Sequence, residues 1–504
     1  MKNDPFESVP LLRLSVCLMV GIVVGEYVAV PLLPVFVAMV VVALFLWKYP
    51  QVQSAAIALC FVVLGALLMQ RQKASLQVTW PEGEVQYEAV VVSEPVEKPK
   101  TMAVDILLTE NGQRLKAYFY KDDRSRSLTI GDGLRIQSRI QENSHWCNDT
   151  FDYHRYLEIH GFTGTTFVSS WKWQKAQISL SGLSRIERTK LYFLQLRSRL
   201  VKKISSAAAN SPFSILNSPF HDASSVVAAM TLGDKSALTQ DLKETYAVTG
   251  ASHILALSGL HLGIIYSLLM LLFGGRNRSS ISFSLFTLLG IWAYVFLVGM
   301  PTSVVRAAVM LTVYALLSQG HRDKMFVNTL AFTAIVLLML HPLSLFDVGF
   351  QMSFMAVFSI LVWVPLLMSV FPSDYLQSHC AVRWLWAQAT VSCAAQIGVA
   401  PLIAYYFGRF STYFLFTNFI VVPAATLILW LSLVVLIVPS LAYILLYVVG
   451  LLNTVLSRMA LLPGASIDGL HPSLIQVAMI YVIIAAVYLL ALRLRKVASR
   501  GRGW

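Results

Sequence analysis

Charge is scarce in this chain. Only 13% of its 504 residues are Asp, Glu, Lys or Arg, where soluble domains carry about 25%. That excludes a wholly soluble protein. Acid is scarcer than base: 26 acidic against 39 basic residues give a formal charge of +13. Cysteine is scarce as well. The five, at 17, 60, 147, 380 and 393, form no CxxC and no Cys/His metal spacing. Cys147 stands alone in the polar stretch of the chain, which excludes a disulfide there. His145, Cys147 and His154 cluster in sequence, but their spacing fits no usual metal site. No nucleotide motif is complete. Gly233-Asp234-Lys235-Ser236 imitates the end of a P-loop, but Asp234 and Ala229 stand where its glycines belong. Residues 1–10 lack the basic region and cleavage site of a signal peptide, so the first apolar run is expected to remain as an anchor.

What the chain has instead is hydrophobic length. Hydrophobic residues make up 57% of it, with many runs near 20 residues, the length that spans a bilayer. Three such runs, 11–30, 32–47 and 54–70, open the chain. Residues 71–183 are polar and alternate in hydropathy, predicting strands over 85–92, 104–109, 114–120, 134–140 and 162–171. Asn111-Gly112 is a hairpin turn signal between two of them. Five short strands suggest a small barrel, with an OB-like fold leading. The fold class expected is therefore a polytopic α-helical membrane protein. A small soluble β-barrel is inserted after three N-terminal transmembrane helices (1–70).

Residues 184–220 read as a basic amphipathic helix and linker. Ile186, Phe193 and Leu200 repeat at seven, with Leu196 and Ile204 beside them. Seven basic residues in 184–203 face one acid, Glu187, while the β-domain holds 14 of each sign. This helix is expected on the membrane surface, in contact with lipid. Arg185, Arg188, Arg197 and Arg199 are its candidate polyanion-attracting set.

Residues 221–495 form a second membrane region of about nine segments: 251–272, 282–299, 303–318, 326–340, 350–371, 385–407, 413–438, 440–462 and 473–492. With the N-terminus inside, Arg276, Arg278, Arg322, Lys324 and Arg383 fall inside. So does the basic tail (496–504), with Arg493, Arg495, Lys496, Arg500 and Arg502 at or beside it. Arg409 is the clear basic residue outside. That asymmetry follows the positive-inside rule and puts the β-domain outside.

Polar groups in an apolar run mark a pathway, because no water replaces their lost hydrogen bonds. Residues 250–263 carry His253, Ser258, Gly259, His261 and Gly263. They predict a re-entrant or broken helix lining a polar constriction; close helix packing is the alternative. Arg306, one turn after Pro301, either meets a phosphate in transit or snorkels to the interface. Asp347 is placed to cap a helix, and Gln351 lies one turn on, on the same face. Gln396, Asn418 and Arg409 are weaker candidates.

These segments resemble the ComEC-type competence channels. Residues 252–261 (Ser-His-Ile-Leu-Ala-Leu-Ser-Gly-Leu-His) are similar to that family's signature. In order along the chain, 151–157 with Gly161, 232–236, 301–307 and 341–354 are similar to further family segments. The resemblance implies an inner-membrane channel that passes single-stranded DNA into the cytoplasm during natural transformation, with no cofactor and no catalytic metal. It implies three partners: a periplasmic DNA-binding protein, a cytoplasmic helicase-like motor and a separate nuclease. Family members often end in a metallo-β-lactamase-like domain. The His-x-His-x-Asp-His cluster is lacking here, so no nuclease activity is expected. Two other readings stay open: an intramembrane hydrolase using Ser258 with His253 or His261, and a transporter of another solute.

Overall fold

The computed structural model describes residues 10–28, 30–142, 147–148, 151–209, 222–273, 281–319 and 326–501. Arg276, Arg278, Arg322, Lys324, Arg502 and His145 lie outside the described residues. The chain divides into two compact units. One holds 1–201, 279–301 and 308–347; the other holds 202–278, 302–307 and 348–504.

The first unit begins with helices Pro10–Tyr27, Leu33–Phe45 and Pro50–Leu76, as the three opening runs predict. Glycines let the first and third of these cross backbone to backbone. A Cβ on Gly21 would lie 2.0 Å from the Val62 carbonyl oxygen, and one on Gly65 would lie 2.3 Å from that of Leu18. Near their ends, Glu26 takes Lys73 at 2.7 Å and Arg155 of the next domain at 3.1 Å.

That next domain is a closed five-stranded barrel of β1 (Glu84–Val91), β2 (Thr101–Leu108), β3 (Arg114–Tyr120), β4 (Gly133–Gln141) and β5 (Phe162–Val168). β1 pairs with β2 and β4, β2 with β3, and β5 with β4, all antiparallel; β3 and β5 run parallel. Alternation builds its core. Leu134, Ile136, Ser138 and Ile140 are buried while Arg135, Gln137 and Arg139 are exposed. Inside, Tyr87, Ser138 and Thr166 satisfy one another, with Tyr87 Oη–Ser138 Oγ and Ser138 Oγ–Thr166 Oγ1 both at 2.7 Å. Gly112 makes the expected β2–β3 turn at φ +68°. The strand expected over 162–171 ends at Val168. There the Lys172 N–H turns back to the Ser169 carbonyl, and Trp173–Lys175 pairs separately with β4.

Helix Arg185–Ala209 follows. Ser184 and Glu187 form its capping box: Ser184 N–H and Oγ donate to Glu187 Oε2 at 2.9 and 2.7 Å, and Glu187 N–H returns to Ser184 Oγ. The stripe expected from Ile186, Phe193 and Leu200 is not the buried one, since Ile186 is 67% exposed. Leu191 and Leu194 are buried instead, against Val90 and Ile130 of the barrel. The turn of the helix explains the shift. Residues 191, 194 and 198 share one face, well away from the 186/193/200 row. Phe193 meets Phe296 at 5.7 Å.

The second unit is helical. Among the described residues seven helices are long and apolar enough to cross a membrane; two belong to the first unit and five to this one: Val348–Met368, Cys380–Phe407, Phe414–Ile437, Pro439–Ala460 and Leu474–Arg495. Several other expected crossings form shorter apolar helices, among them Gly259–Phe273 and Phe326–Leu340 at 15 residues each. Such a helix is about 22 Å long against a hydrocarbon layer of about 30 Å. Gly398 lets two long helices touch, its Cβ position lying 2.5 Å from Ser359 Cβ. Ser359 Oγ donates to the Ala394 carbonyl across the same crossing.

Candidate functional site

The apolar run at 250–263 is a broken helix. One turn, Ser252–Leu255, ends at Ala256, whose backbone is extended (φ −94°, ψ 123°), and a second helix, Gly259–Phe273, begins three residues later. Gly250, at φ +78°, sets the entry; a Cβ there would sit 3.0 Å from Ser411. A break frees backbone groups, and in an apolar setting each needs a partner. Ser303 Oγ donates to the Leu257 carbonyl at 2.5 Å. Gly259 lets the helix starting at Thr302 approach, its Cβ position lying 3.3 Å from Ala307 Cβ.

Ser258 and His261 face each other across the start of the second helix. Ser258 Oγ lies 3.0 Å from His261 Nδ1, and the Ser258 backbone N–H donates to the same nitrogen at 3.3 Å. Both bonds converge on the imidazole: the ring takes the Ser258 backbone N–H, as the Glu or Gln of a capping box would, and is within hydrogen-bond reach of the Ser258 hydroxyl. Nδ1 accepts from a backbone N–H, so the ring proton of the neutral imidazole sits on Nε2. His261 is only 1% exposed, and Nε2 is buried without a well-formed hydrogen bond, the Ile254 carbonyl being the acceptor in reach. His253 is oppositely arranged. It is exposed, its Nδ1 lies 3.1 Å from the Gly250 carbonyl, and it is within electrostatic reach of His261. The ring's acceptance of the Ser258 backbone N–H gives the pairing a local structural role at the helix start.

Arg306 is 2% exposed and the largest fully buried side chain among the described residues. Its guanidinium carbon lies 5.7 Å from the ring centre of Phe350 and 5.4 Å from that of Phe354, and the two rings are 4.3 Å apart. The charge is held against aromatic faces rather than extended to an exposed surface. Gln351, in the first turn of the same helix as the phenylalanines, accepts from Tyr406 Oη at 2.8 Å. Asp347 is the residue before that helix and has the extended backbone of a cap (φ −72°, ψ 123°). Asp347 belongs to the first unit, whereas His253, Ser258, Gly259, His261, Arg306 and Gln351 all belong to the second. The phenylalanine pair was missed by sequence reasoning, although its spacing of four was the available signal.

The weaker candidates separate. Arg409 is an ion-pair centre, bonded to Glu244 at 2.7 Å and to Asp468. Asn418 Oδ1 and the neighbouring Thr417 Oγ1 are buried without a hydrogen bond. Gly233, at φ +75°, ends a helix, and Asp234 accepts from the Ser236 N–H at 3.0 Å, which is a helix terminus and turn rather than a phosphate cradle.

The basic helix does not present its arginines as one set. Arg185, Arg188 and Arg199 are exposed, and Arg188 is tied to the carbonyls of Leu183 (2.9 Å) and Ser181 (2.5 Å). Arg197 is half-buried and reaches the Val298 carbonyl at 3.4 Å.

Comparison with known proteins adds two matches. A family model described as "Competence protein" matches residues 230–494, just over half of the chain. ComE operon protein 3 of Bacillus subtilis (strain 168) is 28% identical over 379 residues, which is 73% of this chain and 43% of that relative. The chain therefore spans less than half the length of the curated relative it matches. No solved structure matches it significantly.

Proposed function

The chain belongs to the competence protein family, and from that premise we propose that it is an inner-membrane channel passing single-stranded DNA into the cytoplasm during natural transformation. It is a multi-pass membrane protein. The observation that carries the reading is the broken helix at 250–263, where His261 and Arg306 are buried polar groups that membrane packing alone does not require. The proposed pathway uses His253, Ser258, Gly259, His261, Arg306 and Gln351; Asp347 is proposed separately, as the cap that precedes the helix carrying Gln351. An Arg306 released from its phenylalanines would meet a phosphate with a charge-assisted bond.

The five-stranded barrel is read as OB-like, supported by its strand order and parallel β3–β5 pair. It is assigned to the periplasm with the C-terminus in the cytoplasm. Arg185, Arg188 and Arg199 are the outward cations that would concentrate DNA near the membrane by counterion release; Arg197, reaching inward, leaves that set. The proposed partners are a periplasmic DNA-binding protein, a cytoplasmic helicase-like motor and a separate nuclease. A hydrolase is not favoured, because the family match is to competence proteins. The test is uptake of labelled duplex DNA by competent cells with and without the gene, scored as nuclease-protected label in the cytoplasm. The expected result is DNA bound outside and none inside the deletion strain. Unchanged cytoplasmic label would sink the reading.

A further inference from the structure

The barrel is neutral by count, but its charges are segregated. On the β1–β4 side three cations have their own acids: Arg135 with Glu88 at 2.9 Å, Lys175 with Asp132 at 2.8 Å, and Lys172 with Glu84. On the outer side of β2, β3 and β5 one carboxylate serves two cations. Asp105 binds Arg114 at 2.9 Å and Lys116 at 2.6 Å. Two more cations stand beside them without an acid in contact. The Lys98 ammonium lies over the Tyr118 ring at 5.1 Å and within electrostatic reach of Lys116. Lys190, on the docked helix, is half-buried and within reach of Arg114, with Glu187 the nearest carboxylate besides Asp105. Among the described residues neither lysine ammonium makes a hydrogen bond or ion pair.

Aromatic rings are interleaved with this charge. Tyr118 stacks on Phe167 at 5.0 Å with 19° between the planes, and Phe167 is 53% exposed. Further along, Arg114 and Lys116 lie over Phe162 at 4.6 and 5.6 Å. An exposed ring backed by a second ring, with unpaired ammonium groups on either side, suits a partner that offers flat apolar faces and phosphates together. Only a strand whose bases are unpaired does so, because duplex bases are already stacked.

We propose that this outer face is a track for an unpaired DNA strand, with Phe167 as the stacking platform and Lys98 and Lys190 as phosphate contacts. The assignment deepens the channel reading and rests on it for the identity of the nucleic acid. Burial holds the Lys190 ammonium down to about 8, with Arg114 adding repulsion; a phosphate there would relieve both.

The test uses the full chain in nanodiscs of uncharged lipid and the anisotropy of a labelled 20-nucleotide oligothymidylate. Phe167→Ala is expected to weaken binding by about tenfold, and Phe167→Trp to restore it. Lys98→Gln with Lys190→Gln is expected to lower the slope of log affinity against log salt by about 1.4, or about 0.7 for each lost phosphate contact. A duplex of equal length should bind more weakly and be indifferent to Phe167. Wild-type affinity in these variants, or equal binding of duplex and single strand, overturns the track. Failure of the channel reading is seen elsewhere, as cytoplasmic label that survives deletion of the gene.

Discussion

The barrel closes most of its buried polar groups on one another, whereas the membrane-type helical unit pairs some, such as Tyr246 Oη with Asn453 Oδ1 at 2.8 Å, and leaves others open. In the barrel, the hydroxyls of Tyr87, Ser138 and Thr166 close on one another, and Asp105 sits between two cations. Its exceptions are the indole nitrogen of Trp173 and Nε of Arg114. In the helical unit, His261 Nε2, Ser411 Oγ, Thr417 Oγ1 and Asn418 Oδ1 are buried without a hydrogen bond among the described residues. A satisfied network fixes one structure, whereas an unsatisfied group carries a desolvation cost that selection tolerates where the group has a use.

Arg306→Leu should break that contrast most strongly. Replacing a buried charge with an apolar side chain is often neutral or stabilising, so expression and melting should hold. Nuclease-protected DNA in cells should fall by about a hundredfold, the loss of one strong charged contact of about 3 kcal/mol. Lost stability together with lost uptake would make Arg306 a structural residue. Thr166→Val should do the reverse. Removing a partner from the barrel's hydroxyl network should cost about 1–3 kcal/mol of stability, read by chemical denaturation, with uptake per folded molecule unchanged.

Lys190 offers a sharper version, because it sits in the well-satisfied half yet resembles the other. Its folded value of about 8 lies below the ordinary lysine value of 10.5, chiefly through burial. Below pH 8 both folded and unfolded states carry the proton, and the fold bears the full cost. Between pH 8 and 10.5 the unfolded state binds more protons, so this group makes stability rise with pH. Lys190→Met should therefore melt higher than wild type at pH 7, with the gap closing by pH 10, while single-strand binding weakens. A melting difference independent of pH would assign the effect to packing alone.

Ser258→Ala should have the smallest effect. It removes the hydroxyl's contact with the His261 ring, a loss of about 0.5–1.5 kcal/mol, and most DNA uptake should remain. Complete loss of activity in a well-expressed Ser258→Ala protein would restore the hydrolase reading.

Local features of this chain were legible in its sequence, and partner choices were not. Strict alternation over 134–140 is exposed–buried in the fold, and Asn111-Gly112 turns where the dipeptide predicts. The glycine, serine and histidine of 250–263 predicted a broken helix, and the break at Ala256 follows. Each of these is written in adjacent residues. The docked face of helix Arg185–Ala209 is not. The row 186/193/200 and the pair 191/194 are both apolar, and only Val90 and Ile130 decide between them. The phenylalanines over Arg306 were illegible for the same reason: they lie more than 40 residues away in sequence. The 14:14 count of the barrel hid its segregated charge, since a sum carries no position.

Closure of the barrel has a consequence for assembly. β1 is paired on both sides, by β2 and β4, and the strands added beyond the closed ring, Val96–Glu97 and Trp173–Lys175, are two and three residues long. The domain therefore offers a visiting chain no long edge to extend by strand addition. A protein docking on these strands would have to be chosen by side chains rather than by strand addition. A few surface substitutions can then change which partner docks while the backbone of the receiver stays as it is.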